Sequence, residues 1–384
     1  VGWSDLTGQA DAIATVRAAA AEDGMTHSWL ITGPPGSGRS VLAYDFAAAL
    51  IARPGEQEAT EALVAARTHP DLGVLSTERV VISIEEVRAL VASSQFSPSV
   101  GRYRVMIIED ADRMTERTSN VLLKALEEPP PRTVWILCAP SEADLIPTIR
   151  SRVRSVRLRV PSIADVAELI ARRDGVPLPE ATRAAREAQS HIGMAHRLAT
   201  DEHARSRRAR TLALALGIRS VSSAVLAAAE LLEMAGDDAK AITEERDAQE
   251  RESALRSLGV EPGGTIPPGL RGQLKALEED QKRRATRSLR DGLDRILVDL
   301  LSLYRDVLLR QLDVDAEPVN LAIAPDLEAA AALATPAATL ATLDAIAEAR
   351  RRIDGNVAPA LALEAMLIST IRREPSASGK DPVR

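Results

Sequence analysis

Apolar runs at positions 29–32, 80–83, 105–108, 134–138 and 156–160 are separated by longer amphipathic stretches. Short continuous runs of this kind suit strands buried on both faces, and their alternation with helical stretches predicts a mostly parallel sheet covered by helices. Positions 43–68 are helical in composition, with a break at Pro54 and Gly55. A helix is expected over 84–92, because Glu85 and Glu86 place negative charge at its N-terminus. Another is expected over 119–128. It must stop there, since Pro129, Pro130 and Pro131 remove successive backbone donors and disfavour helical geometry in the residue before each.

Beyond Pro161 the β-rich runs disappear. Ser162, with Asp165 three residues on, predicts a capped helix start and opens a small helical region over 163–200. A second helical region covers 201–371, interrupted at 259–269 by a loop containing Pro262, Gly263, Gly264, Pro267 and Pro268. Within it, Leu289, Leu293, Ile296, Leu297, Leu300, Tyr304, Val307 and Leu308 recur at three- and four-residue spacing, the apolar face of a long helix. Positions 374–384, rich in Pro, Ser and charge, have little to bury and are expected to be disordered. The expected division is an α/β domain over 1–161, a helical lid over 162–200, an all-α domain over 201–372 and a tail over 373–384.

Composition supports that division. Of 384 residues 45% are hydrophobic but only 2% aromatic, so most of the core must come from packed aliphatic helices, in two or three domains. The 48 Lys and Arg against 55 Asp and Glu give a net charge of −7, which argues against a protein that binds nucleic acid by charge alone. The single Cys138 excludes an intrachain disulfide and a multi-thiolate zinc site. No apolar stretch reaches the roughly 18 to 20 residues of a membrane span, and no charged-then-apolar leader is seen, so a cytoplasmic location without membrane contact is expected.

The strongest chemistry lies between the first apolar run and the helical stretch that follows it. Gly33-Pro34-Pro35-Gly36-Ser37-Gly38-Arg39-Ser40 has phosphate-loop spacing. Gly33, Gly36 and Gly38 would turn backbone N–H groups toward phosphate oxygens, and Ser40 would hold magnesium. Arg39 stands where the motif has lysine, and its planar fork does not replace a compact ammonium. A strand-to-helix turn retained for the fold is the competing reading. At the end of 105–108, Glu109 and Asp110 supply the carboxylates that hold metal and polarise water, in reversed order from the usual Asp-Glu pair. Acidic residues at a strand end also simply cap the following turn.

Several stretches together resemble the clamp-loader branch of the AAA+ ATPases, most closely the delta-prime family of the bacterial DNA polymerase III clamp loader. They are Asp5-Leu6-Thr7-Gly8-Gln9, 26–36, His69-Pro70-Asp71, 84–88, and Asn120-Val121-Leu122-Leu123-Lys124-Ala125-Leu126-Glu127-Glu128-Pro129-Pro130. Ile149-Arg150-Ser151-Arg152-Val153 resembles the family's Ser-Arg-Cys motif with valine for cysteine, and 356–364 resembles its closing collar helix. The resemblance implies a phosphate-loop α/β domain, a small helical lid and a collar through which subunits form an open ring. It implies as partners the delta and gamma/tau subunits, the sliding clamp and, through the assembly, primer-template DNA. It also implies that Arg152 reaches in trans into a neighbouring subunit's nucleotide site, where a permanently charged guanidinium stabilises the transferring phosphoryl group. An ordinary exposed arginine, grouped with Arg150, Arg154, Arg157 and Arg159, is the plainer alternative.

Departures from the motor members all point one way: Arg39, Glu109-Asp110, Ala139-Pro140 at the sensor after the fourth strand, and no cysteine cluster. The expected function is therefore a non-motor subunit that completes the ring and supplies Arg152, without hydrolysis of its own. The cofactor expectation is an altered loop that either stays empty or holds ATP or ADP with Mg2+ without turnover; no metal site of its own and no zinc are expected. An active ATPase subunit of the gamma/tau kind and a purely structural scaffold are the rival functions. His196 or Arg197 lies near the second sensor, while His191, His196 and His203 read as surface or packing histidines. Arg205, Arg207, Arg208 and Arg210, and Lys282, Arg283, Arg284, Arg287 and Arg290, read as solvated helix faces.

Overall fold

The computed structural model describes Trp3 and residues 6–21, 26–77, 81–257 and 271–371, and it divides into two compact units, Val1–Asp201 and Glu202–Arg384. The first unit is built on five parallel strands in the order β2-β3-β4-β1-β5: β1 Ser28–Thr32, β2 Leu72–Leu75, β3 Arg104–Ile108, β4 Thr133–Ala139 and β5 Arg154–Arg157. The period-two geometry of strands sends alternate residues to opposite faces. Trp29, Ile31, Val105, Ile107, Val134 and Ile136 join one core with Val16, Leu42 and Phe46. Leu30, Met106, Ile108, Trp135 and Leu137 join another with Val87, Leu122 and Leu126. That double burial explains why β1 and β4 read as unbroken apolar runs.

Two strands differ from expectation. Among the described residues 81–83 no strand forms. Val80 lies outside the described residues, and Ile82 makes only an isolated bridge to Met114. The remaining strand is instead Leu72–Leu75, paired along β3 from Leu72 opposite Val105 to Leu75 opposite Ile108. The last strand begins before the expected 156–160, because Arg154 pairs opposite Trp29 and lays its guanidinium 4.9 Å from that indole ring.

The helices of this unit are α1 Ala10–Ala21, α2 Arg39–Ile51, α3 Gln57–Ala65, α4 Ile84–Ser94, α5 Glu116–Glu127, α6 Pro147–Arg150, α7 Ile163–Asp174, α8 Leu178–Glu187 and α9 Ile192–Thr200. A capping box starts α4: Ser83 Oγ accepts from the Glu86 amide at 3.3 Å, and Glu86 accepts from the Ser83 amide at 2.8 Å. Ser162 and Asp165 form the same box on α7. Thr115 caps α5, which therefore begins three residues before 119.

The second unit contains α10 Glu202–Leu216, α11 Val221–Ser257, α12 Arg271–Gln311, α13 Ala324–Leu333, α14 Pro336–Asp354 and α15 Pro359–Ser369. The apolar face foreseen on α12 is buried at Leu293, Ile296, Leu297, Leu300 and Val307, against Leu231, Leu327, Ile346, Leu363 and Met366. The expected loop at 259–269 and tail at 373–384 lie outside the described residues. Among the described residues no single helix is long and apolar enough to cross a membrane.

Candidate functional site

The sequence-predicted residues Gly33, Gly36, Gly38, Arg39 and Ser40 follow β1 directly, and Glu109 and Asp110 follow β3. Parallel strands place both groups at one edge of the sheet, where ligands of open α/β sheets bind. Gly36 and Gly38 take positive φ values of 77° and 92°, conformations that other residues adopt only with strain. The loop is closed by the Ser37 amide donating to the Pro34 carbonyl at 3.1 Å and by the Gly33 amide donating to the Pro140 carbonyl at 3.2 Å.

Several side chains that would receive phosphate or magnesium are engaged by the chain itself. The Arg39 guanidinium turns back and donates to the Gly33 carbonyl, the first residue of its own loop. His191, which caps α9 by accepting from the Met194 amide at 3.2 Å, sets its ring against Gly36; a Cβ there would lie 2.6 Å from His191 Cδ2. Ser40 Oγ lies 3.4 Å from Glu109 Oε2. Glu109 Oε1 accepts from the Tyr44 hydroxyl and from Arg67 Nη2, the latter at 2.9 Å. Asp110 faces Arg113 at 3.8 Å instead. Burial, then the hydrogen bond to Glu109, raises the Tyr44 pKa, so this phenol stays a proton donor. Burial also pushes the Cys138 thiol up to about 12, which leaves it unreactive. With Arg39 folded inward and Glu109 already paired, a nucleotide–magnesium group does not fit these residues as they stand.

Arg152 lies elsewhere. It sits in the turn between α6 and β5, at the edge where the strands begin. Arg154 pairs with Trp29 near the start of β1, whereas Gly33 follows its end. The strand rise therefore separates Arg152 from its own loop by roughly 15 Å. Its Nε donates to Glu127 Oε1, and its Nη1 donates to the Thr148 carbonyl at 2.8 Å. About a third of its side chain is exposed, at 34%.

Residues 8–162 match the family model described as DNA polymerase III, delta subunit. The DNA polymerase III subunit delta' of Pseudomonas aeruginosa is 35% identical over 179 residues, 44% of this chain and 50% of that protein. The corresponding protein of Escherichia coli is 31% identical over 143 residues, 35% of this chain and 43% of its own length. Over this domain the chain is similar to DNA polymerase III delta and delta-prime subunits. The chain spans about half the length of these curated relatives. A gamma subunit-related protein of Thermotoga maritima superposes over 94% of this chain and 99% of its own, at 18% identity and a TM-score of 0.43.

Other residues singled out in the sequence act as latches. Asp71 is fully buried and accepts from the amides of Ser99, Val100 and Gly101 at 2.6 to 2.8 Å, and from the Ser99 hydroxyl. Gln9 exchanges hydrogen bonds with the Arg159 backbone. His196 pairs with Asp174 at 2.7 Å, and His191 is the loop contact described above rather than a surface residue. The basic cluster of α10 is only partly a solvated face, since Arg210 is exposed and Arg208 is not. Arg208 is buried between Asp299 and Asn320, Arg207 pairs with Asp238 and Arg210 with Glu230. The side chains of Arg283 and Arg284 lie outside the described residues, while Arg287 faces Asp291 and Arg290 reaches Asn356.

Sequence reasoning missed Tyr44 and Arg67. Tyr44 carries a signal, since it stands four residues after Ser40 on α2 and so shares its face. Arg67 carries none: it reaches Glu109 from the end of α3, a contact that only the fold creates.

Proposed function

We propose that this chain is a non-motor, delta-prime-type subunit of the bacterial sliding-clamp loader, which completes the ring and supplies Arg152 in trans to the nucleotide site of a neighbouring ATPase subunit. The supporting observation is the separation of Arg152 from the chain's own phosphate loop: Arg152 precedes β5 and the loop follows β1, at opposite ends of two neighbouring parallel strands. A guanidinium there has no phosphoryl group in cis to act upon. On a partner's nucleotide it would stabilise charge developing on the transferring oxygens, with no proton to gain or lose.

The altered loop fits the same reading. Arg39, Glu109 and Ser40 bind one another's surroundings instead of a ligand, so the subunit stays rigid while its neighbours turn over ATP. Its partners would be the delta and gamma/tau subunits, the clamp and, through the ring, primer-template DNA. Exposed Leu361 and Ile368, seven residues apart on α15, offer apolar surface for such assembly. The scaffold reading is favoured by one observation, the Arg152–Glu127 ion pair, which gives Arg152 a role within its own chain.

The test of the inert loop uses the purified chain with radiolabelled ATP and Mg2+. No hydrolysis above background is expected. Hydrolysis by the chain alone, abolished by Ser40→Ala, would overturn the proposal.

A further inference from the structure

In a metal-dependent phosphate site the carboxylate after β3 and the hydroxyl that opens α2 share a magnesium ion. Here these two groups, Glu109 and Ser40, face each other directly at 3.4 Å. The Glu109 side chain is only 13% exposed, so solvent does little to spread its charge. A carboxylate in such a place needs a cation or several donors to offset the loss of hydration. Arg67 and Tyr44 both converge on its Oε1, and the Arg67 guanidinium lies 5.1 Å from the Tyr44 ring centroid. Cation, ring, hydroxyl and carboxylate form one closed set.

The backbone of Arg67 adds a second, independent observation. Just past α3 it adopts φ 59°, and its amide and that of Thr68 bond back to the carbonyls of Val64 and Leu63 at 2.9 Å each. This is a helix-terminating turn that ordinarily takes glycine or asparagine. An arginine there strains the backbone, and the turn brings its long side chain back toward Glu109. A glycine would close α3 equally well but would leave the carboxylate without its cation.

We propose that Arg67 is the resident cation of this acidic centre, standing in for the divalent ion that Glu109 and Ser40 would otherwise share. The inference rests on the reading of the loop as a site without turnover and gives it a cause: the charge a metal would supply is already built in. Removing the guanidinium should then create a divalent-cation site where the intact chain has none.

The experiment titrates the full chain with Mn2+, following free ion by electron paramagnetic resonance and stability by thermal melting. Wild-type chain and Glu109→Gln should take up Mn2+ equally weakly. Arg67→Ala should bind Mn2+ about tenfold or more tightly, should gain melting temperature as Mn2+ is added, and should lose both responses in the Arg67→Ala/Glu109→Gln double variant. Arg67→Gln, which keeps the side-chain length without its charge, replaces Arg67→Ala if the shorter variant does not fold. No gain of Mn2+ uptake in a folded Arg67 variant would overturn this assignment alone. Uptake by the wild-type chain that Glu109→Gln removes would overturn both it and the inert-loop reading.

Discussion

Arg152 and Glu127 are joined across the gap between the end of α5 and the turn leading into β5, with Arg152 Nε 2.5 Å from Glu127 Oε1. The Thr148 carbonyl and Ser151 Oγ accept from the same guanidinium at 2.8 and 3.1 Å. Three acceptors thus fix the fork of a residue that stays partly in solvent. Glu127 lies in the Leu-Lys-Ala-Leu-Glu-Glu stretch, so that motif and the Ser151-Arg152 motif meet in this one pair.

Glu127 is expected to be a positioning residue for Arg152. Glu127→Ala retains the arginine and its charge but loosens its aim, a kind of misplacement that can cost up to about 10²-fold in rate. In an assembled ring, ATP hydrolysis should fall by less than with Arg152→Ala. The stability of the isolated chain should change by about 1 kcal/mol or less, because the pair is exposed. Steady-state hydrolysis and urea denaturation check the two halves of this expectation.

Asp71 should make stability dependent on acid. Burial alone would raise its pKa, but the amides of Gly101, Ser99 and Val100 and the Ser99 hydroxyl outweigh burial and depress it. A depressed carboxylate contributes its full stability above the unfolded value of about 3.9 and loses it as pH falls through the folded-state value. Asp71→Asn should cost about 3 kcal/mol at neutral pH, by leaving converging donors without their anion. The gap between variant and wild type in urea titrations should narrow as pH falls below about 4.

Much of the first unit was legible because its central strands are buried on both faces. β1, β3 and β4 appear as uninterrupted apolar runs, Ser162 announces its helix by spacing, and Glu85 and Glu86 announce α4, whose Ser83 cap was hidden in the expected strand. β2 was hidden because Leu72-Gly73-Val74-Leu75 is short and broken by a glycine that packs against Met106. The run at 80–83 looks more strand-like but has no partner beyond the single Ile82 bridge. At the site, the loop glycines and the acidic pair were visible, whereas the inward turn of Arg39 and the reach of Arg67 depend on contacts that sequence spacing does not encode.

The loop and the lid should be energetically coupled through Gly36 and His191. Gly36→Ala places a methyl group on the His191 ring and strains a positive-φ position, for a loss of about 2 to 4 kcal/mol. Adding His191→Ala should recover the steric part but not the backbone part. A double-mutant cycle measured by thermal unfolding should therefore be non-additive.

The second unit should depend on a buried polar link. The Asn320 amide groups donate to Asp306 at 2.8 and 2.9 Å and to Ser302 at 3.2 Å, while its carbonyl oxygen accepts from Arg208 at 2.6 Å. Asn320→Ala leaves Asp306 and Arg208 buried with fewer partners and should cost about 2 to 4 kcal/mol. Arg210→Ala, which breaks only the exposed pair with Glu230, should leave the denaturation midpoint unchanged.

The proposed trans role of Arg152 is tested most directly by ATP hydrolysis in a clamp loader reconstituted with this chain, delta and gamma/tau subunits, the sliding clamp and primed DNA. Arg152→Ala should abolish hydrolysis at the neighbouring site, a loss on the order of 10³-fold, while the ring still assembles. Ser40→Ala should leave hydrolysis at the wild-type rate. Full stimulated hydrolysis with Arg152→Ala would contradict the account.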